Sequence, residues 1–154
     1  MDCMKSDEDF MRFALLEAEK ASKEDEVPVG AVIIKDGKVI SSAHNERENR
    51  MDPTAHAEII AIKKASEAIG NWRLTGCDLY VTIEPCPMCA GAIVQSRIRR
   101  LIYGASDLKA GACGSIMDVI NNAHLCHKVE VHKGILEDEC SIIIKDYFRN
   151  KRKR

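Results

Sequence analysis

The stretch Asp78-Leu79-Tyr80-Val81-Thr82-Ile83, joined through Glu84-Pro85-Cys86 to Pro87-Met88-Cys89-Ala90-Gly91-Ala92-Ile93, decides how the fold is read. Its first half is a short apolar run rich in β-branched and aromatic residues, which predicts a buried strand over 78–83. Its second half opens on proline, whose fixed φ and missing N–H suit the first turn of a helix, and predicts a helix over 87–96. A strand feeding directly into a helix is a unit of an α/β fold.

The same reading extends in both directions. Val29-Gly30-Ala31-Val32-Ile33-Ile34 predicts a second buried strand, Asp36-Gly37 a hairpin turn, and Lys38 to Ala43 the return strand. Residues 44–54 are polar and end in Asp52-Pro53-Thr54, a loop into a helix over 55–69 that Gly70-Asn71 stops. Ser6 followed by Asp7, Glu8 and Asp9 marks a helix start, because acids favour the positive end of the dipole. Met11, Ala14, Leu15, Ala18 and Ala21 then recur at helical spacing. Further strands are predicted over 100–103 and 128–132, and a last helix over 136–149. Helices must cover both faces of one sheet, so the expected architecture is α/β, a three-layer α/β/α sandwich. A chain of 154 residues suits one domain spanning 1–154.

Composition excludes some classes. With 45% hydrophobic and 31% charged residues the chain resembles ordinary globular proteins, not disordered or fibrous ones. No apolar run reaches the roughly 18 residues of a membrane span. Met1 to Phe10 is acidic and lacks the apolar stretch of a secretory signal, so a cytoplasmic protein with no membrane partner is expected. The 7 cysteines are odd in number and scattered, which suits metal binding or catalysis better than a disulfide framework. The net charge of −1 carries no global sign of nucleic-acid binding. Arg149-Asn150-Lys151-Arg152-Lys153-Arg154 nevertheless concentrates positive charge at one end, either to meet phosphates or as a solvated chain end.

Two segments carry chemistry: His56-Ala57-Glu58 and Pro85-Cys86-Pro87-Met88-Cys89. Each follows an extended or loop segment and opens a helix, whose partial positive charge favours thiolate over thiol. Taken alone, Cys86 and Cys89 read as a redox dithiol, half of a structural zinc site, or two buried cysteines. A closed structural site needs four ligands, and Cys3, Cys77, Cys113, Cys126 and Cys140 contain no second close pair. With His56 as third ligand, zinc keeps an open fourth position, the arrangement of a catalytic site, where bound water has its pKa lowered to about 7. Glu58 follows His56 by two residues, about 200° round a helix, and is not a ligand from the same face. From the first turn it reaches across the open position to move protons between water and substrate. The run His124-Leu125-Cys126-His127 has ligand types but no further ligand nearby, and no second metal is expected there.

His-x-Glu and Pro-Cys-x-x-Cys at this separation resemble the signature of the zinc nucleobase deaminases. Over nearly its whole length the chain resembles the bacterial tRNA adenosine deaminases. The matching stretches are Val27 to Val32, Asp52 to Ile59, Leu79 to Thr82, Glu84-Pro85-Cys86, Met88 to Ile93, Ser96-Arg97-Ile98, Gly104 to Asp107 and Lys109 to Ser115. The resemblance implies a cytidine-deaminase-like fold with a mixed five-stranded sheet. It also implies a homodimer with the active site near the subunit interface, and no nucleotide cofactor. His56, Cys86 and Cys89 would hold Zn2+ and Glu58 would shuttle protons. Asn45 would hydrogen-bond the base, Asp107 would meet the anticodon-loop sugar or a neighbouring base, and Val29 and Ala57 would belong to the substrate pocket. The implied reaction is hydrolytic deamination of adenosine to inosine at the wobble position of a tRNA, with the anticodon stem-loop as partner. The alternative is a deaminase of free bases or nucleosides, acting on guanine or cytosine; Pro87 also suits guanine-deaminase-like relatives. A non-catalytic zinc module that only binds RNA has no use for an intact Glu58.

Overall fold

The computed structural model describes residues 5–122, 124–125 and 127–152. Cys3 and Cys126, together with Lys153 and Arg154 of the basic ending, lie outside the described residues. The first helix, α1 (Asp7–Lys23), starts in a capping box: the Ser6 hydroxyl accepts the Asp9 N–H at 3.2 Å while the Asp9 carboxylate accepts the Ser6 N–H at 2.9 Å. Strands β1 (Gly30–Lys35) and β2 (Lys38–His44) form the expected hairpin. Asp36 and Gly37 have φ of 51° and 75°, the left-handed pair that matches the twist of a two-residue hairpin. Next come α2 (Ala57–Ile69), closed by Gly70 at φ 77°, then β3 (Cys77–Ile83), α3 (Pro87–Gln95), β4 (Arg100–Ala105), β5 (Glu130–Lys133) and α4 (Glu137–Arg152).

The sheet is mixed and five-stranded, in the order β2-β1-β3-β4-β5. β1 runs antiparallel to β2 and β3, whereas β3, β4 and β5 are parallel. Alternation along the strands divides the core in two. Ala31, Ile33, Leu79, Val81, Leu101 and Tyr103 pack with Ala57, Ile60, Ala61, Ala90 and Ile93 of α2 and α3. Val32, Ile34, Tyr80 and Ile102 face the other way, onto Phe10, Met11 and Ala14 of α1 and Cys140 of α4. The three layers anticipated from the element order are therefore present. Close approach sets where the outer helices lie. A Cβ at Gly30 would run into the Ala14 carbonyl of α1, and one at Gly104 into the Cys140 sulfur of α4.

Most boundaries shift by one or two residues from the sequence reading, and two of the shifts bear on the site. α2 begins at Ala57 instead of Ala55, because His56 is its N-cap, with extended backbone at φ −77° and ψ 154°. α4 continues to Arg152, where Arg149, Lys151 and Arg152 complement the negative end of its dipole. The β3–α3–β4 crossover brings the start of α3 to the carboxyl end of β3, the edge at which open α/β sheets bind ligands.

Candidate active site

Three donors meet where α2 and α3 begin. Asp52 shapes the approach to His56: its carboxylate accepts the Thr54 N–H at 2.8 Å and the Thr54 hydroxyl at 2.7 Å, and the His56 N–H reaches the Thr54 carbonyl at 2.8 Å. Cys86 is the N-cap of α3, with ψ 174°, and Cys89 lies buried in its first turn. The His56 Nδ1 stands 3.7 Å from the Cys86 Sγ and 3.5 Å from the Cys89 Sγ. All three atoms lie within 4.8 Å of one another. Tetrahedral zinc bonds of ~2.0–2.1 Å to nitrogen and ~2.3 Å to sulfur separate those two atoms by ~3.6 Å. The donors thus sit at the spacing of three corners of a zinc tetrahedron. Hydrogen bonding from the Cys89 thiol draws Cys86 down to about 4 against the effect of burial, with His56 helping, so the protein already favours a thiolate there. The Cys86 partner raises His56 in turn.

Because His56 precedes the helix, the 200° expected for residues two apart on a helical wheel does not describe the site. Glu58 is the second residue of α2, is 3% exposed, and lines the same cavity as His56 and Cys86. Burial pushes its carboxyl up to about 7. A carboxyl poised there both accepts and donates a proton near neutral pH.

The cavity has a volume of about 300 Å³. Val29, Asn45, Ala57 and Asp107, the four substrate-binding residues expected from the resemblance, all line it. The Asn45 amide donates to the Val27 carbonyl at 3.4 Å and accepts the Arg47 N–H at 3.3 Å, which orients it beside Val29. One carboxylate oxygen of Asp107 is held by the N–H groups of Lys109 and Ala110, at 2.9 and 3.1 Å. The sequence reading missed several lining residues: Arg47, Glu84, Lys109, and Ile144 and Phe148 from α4. Phe148 directly precedes the basic ending, and no local pattern announces that Phe148 lines the cavity. Glu26 was missed as well; it is 1% exposed and accepts the N–H groups of Glu48 and Asn49 at 3.0 and 2.8 Å, securing the turn after Asn45. A larger groove of about 730 Å³ between α1 and α4 is lined by Leu15, Leu16, Ile142 and Ile143 together with charged residues such as Arg12 and Glu139, which pair with each other at 3.0 Å. In the His124 to His127 run, the described His127 Nε2 lies 2.8 Å from the Ile98 carbonyl, a structural contact.

His44 ties the Asn45 segment to α1. Its Nδ1 lies 2.9 Å from Glu17 and its Nε2 2.9 Å from Glu24, so both ring nitrogens face carboxylates. That suits an imidazolium and leaves no nitrogen free for a metal. Burial disfavours the charge, but the two carboxylates outweigh it and the His44 pKa lies above its ordinary 6.5. Burial likewise raises Glu17, but hydrogen bonds from His44 and Lys20 leave it below its ordinary 4.5. The clamp's contribution is therefore fully present between those two ordinary values. It fades as pH rises through the raised His44 pKa, and as pH falls through the lowered Glu17 pKa. Thermal melts should show His44→Ala well below the parent near pH 6 and approaching it by about pH 9. A gap independent of pH would contradict the ion-paired clamp.

The chain matches the MafB19-like deaminase family over residues 5–152. The tRNA-specific adenosine deaminase of Bacillus subtilis (strain 168) is 46% identical over 151 residues, 98% of this chain and 94% of its own. A solved structure from biochemical and structural studies of A-to-I editing by tRNA:A34 deaminases superposes with a TM-score of 0.84 at 49% identity, covering 87% of this chain and 97% of that one. The X-ray structure of guanine deaminase from Bacillus subtilis shares 39% identity at a TM-score of 0.66, over 72% of this chain and 71% of its own.

Proposed function

The chain belongs to the MafB19-like deaminases and, within them, to the tRNA-specific adenosine deaminases, and we infer that it converts adenosine to inosine at the wobble position of a tRNA anticodon by zinc-dependent hydrolysis. The observation that carries this reading is the meeting of His56, Cys86 and Cys89 at zinc spacing beside a buried Glu58, in a chain nearly half identical to tRNA adenosine deaminases. The guanine-deaminase alternative draws on a weaker likeness in sequence, 39% identity for the Bacillus subtilis guanine deaminase against 46% for the tRNA-specific adenosine deaminase of the same species.

His56, Cys86 and Cys89 would hold a zinc ion, which when bound supplies an activated water for addition to the carbon bearing the amino group. Glu58 would take a proton from the attacking water and hand it to the ring nitrogen beside the carbon under attack, then carry a second proton from the added hydroxyl to the amino nitrogen, which leaves as ammonia. Asn45 contacts the base edge, while Val29 and Ala57 shape the pocket. A base in an exposed loop is already partly unstacked, so drawing it into so small a cavity costs little. Asp107 and Lys109 stand at the mouth, where sugar and phosphate of flanking nucleotides pass. The end of α4 carries Phe148 to the same wall, so Arg149, Lys151 and Arg152 lie within reach of phosphates. The enzyme works in the cytoplasm as a homodimer and needs no nucleotide cofactor. No helix among the described residues is long and apolar enough to cross a membrane.

Inosine formation in an anticodon stem-loop, measured beside ammonia release from free adenosine, guanine and cytosine, tests the substrate. The stem-loop should react far faster, since remote contacts contribute to turnover as well as to binding. Faster release from free guanine or cytosine would transfer the assignment to a free-base deaminase.

A further inference from the structure

Glu84 stands between the end of β3 and Cys86, and it is 1% exposed. A carboxylate buried this deeply has to satisfy its oxygens with donors. One oxygen accepts the Asp107 N–H at 3.1 Å and the Ser115 hydroxyl. The other accepts the N–H groups of Cys113 at 2.9 Å and Ser115 at 3.1 Å. No cationic side chain is among these partners, and every donor comes from one segment, residues 107–115. The segment wraps so closely that a Cβ at Gly111 would come within 2.5 Å of the Glu84 carboxyl carbon. Its outer side places Asp107 and Lys109 on the cavity wall.

We propose that Glu84 is a positioning residue for RNA recognition: its carboxylate fixes segment 107–115 as one wall of the cavity, so that Asp107 and Lys109 meet the nucleotides beside the target base. The proposal rests on the tRNA deaminase reading for its substrate, but its geometry is independent of that reading. The segment has no helix, and its only strand-like pairing is an isolated bridge from Cys113 to Asp118. Loop bonds such as the Ala112 N–H to the Pro85 carbonyl at 2.9 Å and the Gly114 N–H to the Met117 carbonyl at 3.0 Å also hold it, but the N–H groups of Asp107, Cys113 and Ser115 go to Glu84. Glu84 supplies the acceptors that a sheet partner would otherwise provide. Glutamine at this position keeps the size but turns one acceptor group into a donor that faces two N–H groups.

The test compares the parent with Glu84→Gln, Ser115→Ala and the double variant. It measures steady-state kinetics on an anticodon stem-loop, zinc content, and amide hydrogen exchange. For Glu84→Gln, KM should rise about tenfold or more while kcat stays within about threefold, the scale of losing buried acceptors. Zinc content should be unchanged, and exchange at Asp107, Cys113 and Ser115 should accelerate while α2 and α3 stay protected. Ser115→Ala should show a smaller change of the same kind and add little to Glu84→Gln, since both act on one contact. An unchanged KM overturns the proposal. So does zinc loss in step with lost activity, which would make Glu84 a support for Cys86. Should Glu84→Gln fail to fold, an unchanged KM in Ser115→Ala overturns it equally. A parent enzyme inert on the stem-loop would refute the deaminase reading instead. The exchange measurement would then still decide whether Glu84 holds the segment.

Discussion

Glu58→Ala should abolish turnover and leave zinc content where it was. The carboxyl sits at the start of α2, 3% exposed, with burial holding it near neutrality at about 7. Removing a positioned general acid–base group costs ~10²–10⁴-fold in rate, and more where the same group serves several proton transfers. Glu58 is a buried carboxyl that lines the cavity next to His56 and Cys86, and in the proposed reaction it would serve the water, the ring nitrogen and the departing ammonia in turn. The loss should therefore reach at least the upper end of that range. Glu58→Gln should be nearly as inactive, because it keeps the shape and loses the proton. Elemental analysis beside single-turnover kinetics checks both variants. Near-normal turnover would show that another group moves the proton; zinc lost together with activity would make Glu58 a support for the metal.

Cys86→Ala combined with Cys89→Ala should empty the proposed zinc site and remove activity with it. One imidazole cannot hold zinc at catalytic occupancy once both thiolates are gone. Elemental analysis of the parent should give one zinc per chain, and of the double variant almost none. Chelation of the parent should remove activity, and added zinc should restore it. Metal binding requires deprotonated ligands, so affinity weakens as pH falls. The hydrogen-bonded Cys86, drawn to about 4, keeps its thiolate well below the pH at which an isolated cysteine would lose it. Full zinc occupancy in the double variant would refute the ligand assignment.

Much of this site was legible in the sequence, because its strongest signals are local. Pro87 starts a helix wherever it is placed at a first turn, and Asp36-Gly37 turns a hairpin by its own backbone preference. The unbroken apolar runs Ala31 to Ile34 and Leu79 to Val81 already announce buried strands, while which residue faces which layer is seen in the packing. The meeting of His56 with Cys86 and Cys89 was legible too, since the two cysteines share one helical turn and no second close cysteine pair competes for His56.

The sequence by itself thus determined the element order, the layered fold and the two segments, around His56 and around Cys86 and Cys89, from which the candidate donors come, because each is marked by local spacing. Only the tertiary structure decided that His56 caps α2 from outside the helix, which changes the angle at which Glu58 meets the site. Only it brought Ile144 and Phe148 to the cavity, because the position of α4 depends on how closely Cys140 approaches Gly104. Only it revealed what Glu84 holds. The donors to that carboxylate lie 23 to 31 residues further along the chain, in a segment with no helical or strand periodicity. A hydrogen bond across that separation leaves no mark on local sequence; it exists because β3 and β4 run side by side and bring the two segments together at one edge of the sheet.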